Sequence, residues 1–210
     1  MPKVRVIGLG PGHKDYILPV CSRVINSADV VIGAPRNLAS LGLNNQQVIA
    51  IGKNLTAIKG FILANKQDQK IAVVVSGDTG FYSLLVFLKG FLMDSELDVY
   101  PGISSMQYLF ARIKKSYQNA VLTSLHGRDN DILTLVKNNK MVAVLTDKVN
   151  TPSAIARLLL KNKLVSYSMI IGENLSYDNE KILQLPLKKA ALYKTTELNT
   201  IIICKETELC

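Results

Sequence analysis

The sequence predicts an α/β fold made of two α/β halves, and three observations carry that prediction. The β-branched run Ile71-Ala72-Val73-Val74-Val75 passes through Ser76-Gly77-Asp78-Thr79-Gly80 into apolar residues at helical spacing: Phe81, Leu84, Leu85, Leu88, Phe91 and Leu92. Similar strand-then-turn units recur from residue 4 onward, several of them running into helical patterns, as in a mostly parallel sheet. The polar, basic stretch Arg112-Ile113-Lys114-Lys115-Ser116-Tyr117-Gln118-Asn119 then interrupts the pattern, which restarts beyond it. The expectation is an N-terminal α/β domain over 1–113 with a mostly parallel sheet, a linker at 114–119, and a C-terminal α/β domain over 120–210 with a mixed sheet.

Taken in order, residues 4–9 form an apolar strand ending in Gly8-Leu9-Gly10-Pro11-Gly12. This is not a dinucleotide fingerprint. The third glycine of Gly-x-Gly-x-x-Gly would fall on His13, Pro11 has no amide to offer a phosphate, and no acid follows the strand at 29–33 to hold a ribose. Residues 17–28 read as a helix, and Gly33-Ala34-Pro35-Arg36-Asn37-Leu38 as a turn opening a short helix. A strand is expected at 48–51, then a helix over 54–65 with Leu55, Ile58, Ile62 and Leu63 on its inner face. The Ser76–Phe81 turn follows its strand at the carboxyl edge of the sheet, where α/β folds place ligands. A helix over 80–92 and a brief strand at 97–100 come next, and Pro101-Gly102-Ile103-Ser104-Ser105 opens a helix over 106–113.

In the second half, a strand at 121–124 leads into Leu125-His126-Gly127-Arg128, and a helix spans about 130–138. The strand at 141–145 ends in Thr146-Asp147. Asn150 or Thr151 caps the next helix, with Pro152 in its first turn and Ile155, Leu158 and Leu159 inward. The strand at 166–172 ends in Glu173-Asn174, and strands at 182–185 and 200–204 make this sheet partly antiparallel.

Composition narrows the function. Of the 210 residues, 48% are hydrophobic and 20% charged, enough to bury a core. No apolar run reaches the roughly 18 residues of a membrane span, and the N-terminus lacks a signal-peptide core, so the expectation is a soluble, cytoplasmic protein without a membrane partner. Three scattered cysteines argue against a disulfide framework, and two histidines, His13 and His126, argue against a metal site. The net charge of +9 is spread, with 10 basic against 7 acidic residues in 1–105 and 15 against 9 in 106–210. Such a surface attracts polyanions or simply solvates the protein. No aromatic-basic ladder accompanies it, and no nucleic-acid partner is expected.

The turns supply no nucleophile–base pair, Gly-x-Ser-x-Gly elbow or phosphate loop. They suit a neutral or zwitterionic cofactor gripped mainly by main chain. Asp78 reads either as a turn-capping acid or as an acceptor for ligand hydroxyl and amino groups. Ser104 and Ser105 are either helix caps or hydroxyls facing the same ligand. Arg36 is a carboxylate binder or a plain surface arginine.

The set as a whole resembles the tetrapyrrole methylase superfamily, through Gly-x-Gly-Pro-Gly in the first strand-turn, Ser-Gly-Asp after Val73-Val74-Val75, and Pro-Gly-Ile-Ser-Ser opening a helix. The motifs come in the family's order and the resemblance spans roughly residues 4–204, with Asp78-Thr79 departing from the commoner Asp-Pro. Gly33-Ala34-Pro35-Arg36, Ser124-Leu125-His126-Gly127-Arg128, Thr146-Asp147 with Thr151-Pro152, and Ile171-Gly172-Glu173-Asn174-Leu175 are similar to the branch methylating C5 of cobalt-precorrin-7 in anaerobic cobalamin synthesis.

The resemblance implies two α/β domains with a cofactor cleft between them, S-adenosyl-L-methionine as methyl donor, a cobalt-precorrin acceptor and a homodimer. It carries the cofactor role onto Leu9, Gly10, Pro11, Gly77, Asp78, Thr79, Phe81, Tyr82, Ser104, Ser105, Leu145, Thr146, Asn174, Leu175 and Thr200. Arg36 and Arg128 are the candidates for the acceptor's carboxylates. His126 is the candidate catalytic residue, to take a proton or orient a carboxylate; a structural histidine fits it equally. The chain ends at Cys210 without the second module of the longer aerobic relative, so the expectation is C5 methylation without decarboxylation or C15 methylation. The alternatives are a relative acting on a macromolecule, of the ribosomal RNA 2′-O or diphthine type, and a non-catalytic binding protein on the same fold.

Overall fold

The computed structural model describes residues 3–127 and 130–205. The chain divides after Ser104 into two compact units.

The first unit holds a five-stranded parallel sheet in the order β3 (Gln47–Ala50), β2 (Val30–Gly33), β4 (Ile71–Val75), β1 (Val4–Gly8), β5 (Leu97–Tyr100). The central strands are unbroken apolar runs because both sheet faces are covered, and every residue of β2 and β4 is buried. On one face Val6, Ile32 and Val73 pack with Ile58 and Ile62 of α3 (Leu55–Asn65) and Leu88 of α4 (Leu85–Lys89). On the other, Ile7, Val31 and Val74 pack with Cys21 and Ile25 of α1 (Pro19–Asn26) and Leu38 of α2 (Pro35–Ala39). The helices that follow the neighbouring strands β1 and β4 thus lie on opposite faces. At such a switch point the two connections part and leave a crevice at the carboxyl ends of the strands.

Two helix expectations change here. The helix over 80–92 contracts to α4, because Asp78 Oδ2 accepts from the Gly80 N–H at 2.8 Å and Tyr82 adopts φ 51°, in the left-handed region that a right-handed helix cannot pass through. Leu88 and Leu92 still reach the core. In α3, Leu63 is 41% exposed; it follows Ile62 by one residue, about 100° around the helix, and so leaves the stripe formed by Ile58 and Ile62.

The second unit has a mixed sheet in the order β6 (Val121–Ser124), β7 (Met141–Leu145), β10 (Asn199–Lys205), β8 (Tyr167–Glu173), β9 (Lys181–Pro186). The β6–β7 pair is parallel, and the other three pairs are antiparallel. Val142, Val144, Met169, Ile171, Ile201 and Ile203 face a core closed by α6 (Ile132–Asn138), α7 (Pro152–Lys161) and α8 (Leu187–Ala190). In α7, Thr151 caps the first turn, accepting from the Ala154 N–H at 3.2 Å, and Pro152, Ile155, Ala156 and Leu159 are buried. Leu158 lies one step off that stripe and is 42% exposed, against expectation.

The helix α5 (Ser105–Arg112), assigned by composition to the first domain, belongs to the second unit, where it packs on β7 and β10. The stretch 114–119 is correspondingly not a free linker. The Lys115 N–H donates to Phe110 O at 3.0 Å, and the Tyr117 ring lies 5.6 Å from that of Phe110. Polarity suggested a boundary there; the apolar side of α5, with Met106, Leu109 and Phe110 buried, moves it to Ser104/Ser105. Among the described residues Cys21 and Cys204 are buried and in no disulfide, and no helix is long and apolar enough to cross a membrane.

Candidate active site

At the carboxyl ends of β1 and β4 the main chain meets itself. The Leu9 N–H donates to Val75 O at 2.9 Å, and Gly10 and Gly77 exchange hydrogen bonds at 3.2 and 2.8 Å in an isolated antiparallel bridge. Both glycines need positive φ for this, 80° and 67°. Gly102, entering from the end of β5, is packed so closely that a Cβ there would overlap Gly77 O and lie 2.8 Å from the Gly8 carbonyl carbon. Leu9, Gly10, Gly77 and Asp78 are therefore brought together with the 101–104 turn, and Pro11 continues the first of these loops, half-buried.

Asp78 fastens the arrangement. Its Oδ2 accepts from Gly80 N–H and its Oδ1 from Gly102 N–H at 3.1 Å, so one carboxylate ties the β4 turn to the β5 turn. The capping reading of Asp78 is thus its visible structural role, and a ligand contact would draw on the lone pairs that remain. Thr79 is buried and its carbonyl accepts from the Ser83 hydroxyl, while Phe81 and Tyr82 meet edge to face with centroids 4.7 Å apart. Ser104 is buried at 7% exposure. Arg36, in α2, is exposed, and its Nη2 donates to Ser76 Oγ at 3.2 Å. The same Oγ lies 2.9 Å from Oδ1 of the buried Asn37.

In the second unit the register places Leu145 opposite Thr200 and Gly172 on the other side of Thr200. The Thr200 and Ser105 hydroxyls are 2.9 Å apart, which joins the start of α5 to this edge. Thr146 directs its hydroxyl at Asn199, 2.7 Å from the carbonyl and 2.6 Å from Oδ1. Asn174 sits in the left-handed region at φ 46° and is held from three sides. Its N–H donates to Leu198 O at 2.9 Å, its Nδ2 to Glu197 Oε2 at 2.7 Å, and its carbonyl accepts from Tyr177 N–H at 3.0 Å. Leu175 is buried beside Gly172. Behind them Glu173 is 2% exposed and accepts from the Tyr193 hydroxyl at 3.0 Å; burial, reinforced by that carboxylate, raises the Tyr193 pKa.

The loop after β6 is fixed by Asp147. This carboxylate accepts from the N–H groups of Asn150 at 2.6 Å, Val149 at 2.8 Å and Gly127 at 3.2 Å. These amides, that of Asn150 foremost, outweigh partial burial and hold its pKa at about 2, below the ordinary 3.8. His126 Nδ1 is 3.3 Å from Thr146 O. A carbonyl only accepts, so this bond requires Nδ1–H and leaves Nε2 of the neutral ring as an acceptor on an exposed side chain. Arg128 lies outside the described residues.

Motif reading gave a site role to most of these positions but none to Asn37, Ser76, Glu197 or Asn199, which hydrogen-bond to them or to one another. Asn37, Ser76 and Asn199 adjoin Arg36, Gly77 and Thr200 in sequence, and that adjacency is the one signal they carry; Glu197 carries none. No side chain among the described residues pairs with another in the manner of an activated nucleophile and its base. The chemistry the arrangement permits is the holding of an already activated group by main chain and small hydroxyls.

A family model, Tetrapyrrole (Corrin/Porphyrin) Methylases, matches residues 3–191. The chain is 33% identical over 201 residues to the cobalt-precorrin-7 C(5)-methyltransferase of Salmonella typhimurium, covering 96% of this chain and 98% of that protein. It is 30% identical to the probable cobalt-precorrin-7 C(5)-methyltransferase of Methanocaldococcus jannaschii, covering 90% and 91%. Its fold is shared with the uroporphyrin-III C-methyltransferase of Thermus thermophilus complexed with S-adenosylhomocysteine, at TM-score 0.81 and 18% identity, over 99% of this chain and all of that one. With that match covering residues 3–191 of 210, the chain belongs to the tetrapyrrole (corrin/porphyrin) methylases.

Proposed function

We propose that the protein is an S-adenosyl-L-methionine-dependent C-methyltransferase that methylates C5 of cobalt-precorrin-7 in anaerobic cobalamin synthesis, without decarboxylation or C15 methylation. The observation that carries this is the likeness to the Salmonella C(5)-methyltransferase over 98% of that protein, which is named for C5 alone.

The cofactor supplies a methyl group on a sulfonium, ready for in-line transfer to an electron-rich ring carbon, so the protein's work is mainly positioning. The residues present fit such a group. The turns at 8–12 and 77–82 offer main chain left bare at their glycines, and no lysine stands in either turn to favour a pyrophosphate instead. Leu9, Gly10, Pro11, Gly77, Asp78, Thr79, Phe81, Tyr82, Ser104, Ser105, Leu145, Thr146, Asn174, Leu175 and Thr200 would hold the cofactor. Arg36 and Arg128 would pair with acetate or propionate groups of the acceptor. His126, through the free lone pair on Nε2, would accept the proton lost from the ring carbon after the methyl arrives. We place the protein in the cytoplasm as a homodimer.

The test is incubation with cobalt-precorrin-7 and donor carrying a 13C methyl, with the product read by NMR. The expected result is one new methyl on C5 and no released carbon dioxide. A label on any other carbon, or in RNA or protein, overturns the reading.

A further inference from the structure

The surroundings of Arg36 carry more than a surface arginine requires. Its Nη2 lies 3.2 Å from Ser76 Oγ, and Ser76 Oγ lies 2.9 Å from Asn37 Oδ1. The direction of both bonds is fixed by chemistry. Guanidinium only donates, so Ser76 Oγ accepts from it and sends its own proton on to the Asn37 carbonyl oxygen. Asn37 is 8% exposed in α2, the helix that follows β2, so the far end of the chain is anchored while the near end, Arg36, stands in solvent. Ser76 immediately follows β4 and precedes Gly77, which puts the guanidinium at the carboxyl edge of the sheet. A flexible arginine loses rotamer entropy when it is held, and an exposed one gains little from a single neutral partner. The holding is explained if the remaining N–H donors meet an anion whose geometry they must match.

We propose that Ser76 and Asn37 are positioning residues: a two-step hydrogen-bond relay aims the Arg36 guanidinium at a side-chain carboxylate of the tetrapyrrole acceptor and so sets how tightly that acceptor is held. This rests on the function proposed above. The relay acts on acceptor binding and leaves donor binding alone.

The experiment compares wild type, Ser76→Ala, Ser76→Thr, Arg36→Gln and the Arg36→Gln/Ser76→Ala double variant. It measures KM and kcat with cobalt-precorrin-7, fluorescence titration with uroporphyrin as a polycarboxylate tetrapyrrole probe, and calorimetry with S-adenosylhomocysteine. Losing the relay raises KM and the porphyrin Kd about fivefold, the size expected of one ordinary hydrogen bond lost. The value of kcat stays within about twofold, S-adenosylhomocysteine affinity is unchanged, Ser76→Thr restores wild-type values, and Ser76→Ala adds nothing once Arg36 is gone. Four results overturn the relay: wild type that does not bind uroporphyrin, an unchanged KM and Kd in Ser76→Ala, an equal further loss in the double variant, or a matching loss of S-adenosylhomocysteine affinity. If wild type fails to methylate cobalt-precorrin-7 while the porphyrin titration responds as expected, the assigned acceptor falls and the relay stands.

Discussion

At the carboxyl ends of β1 and β4, Gly8, Gly10, Gly77 and Gly102 bring main chain directly against main chain. At the ends of β7 and β8 the corresponding joints are made by side chains, Thr146 on Asn199 and Asn174 on Glu197. The first joint has no adjustable part, because a backbone cannot rotate away from an added carbon as a side chain can. The second is assembled from separate hydrogen bonds, and each can be lost alone. The two edges should therefore fail differently: the first all at once, the second by degrees.

The largest effect is expected from Gly102→Ala, whose new Cβ would overlap Gly77 O with backbone on every side. We expect a loss of about 3 kcal/mol, read as the shift of the urea midpoint. A native midpoint would mean that the three loops can part, and the contrast with the second unit would collapse. Asp78→Ala comes next. It leaves the Gly80 and Gly102 amides without their acceptor and should cost about 1–2 kcal/mol in the same measurement. A loss equal to that of Gly102→Ala would show that the carboxylate, and not backbone contact, holds the turns.

The smallest effect belongs to Asp147→Asn in the second unit, and its signature is pH dependence. The folded carboxyl titrates near 2, against an ordinary 3.8, so its contribution to stability is fully present above the ordinary value and disappears as the pH falls towards 2. Thermal melts should show the variant less stable than wild type at neutral pH, with the gap closing between about pH 4 and 2. A gap of constant size across that range would mean that the amides hold the side chain without regard to its charge.

Much of the first edge was legible in the sequence. The run Ile71–Val75 is β-branched and apolar throughout, as a strand covered on both faces must be, and the glycines after β1 and β4 stand where loops touch. The contraction of the helix over 80–92 was not legible, because its apolar spacing is helical while a bond from Asp78 and the left-handed Tyr82 delay its start. The domain boundary was misplaced for a related reason. A basic, polar stretch looks like a linker until Tyr117 is seen against Phe110. In the second edge, Thr146 and Asn174 lie in recognisable motifs and Thr200 follows from the family resemblance, but Asn199 is marked only by adjoining Thr200 and nothing local marks Glu197.

Residue order alone fixed the two α/β halves, the apolar strands and the glycine turns, since each depends on a side chain's own bulk or its absence and on neighbours a few residues away. The three-dimensional path of the chain chose the polar partners. Thr146 and Asn199 are 53 residues apart, and Ser76 and Asn37 are 39 apart. A hydroxyl or an amide accepts any complementary group within about 3 Å, so its partner is whichever strand end folding brings alongside.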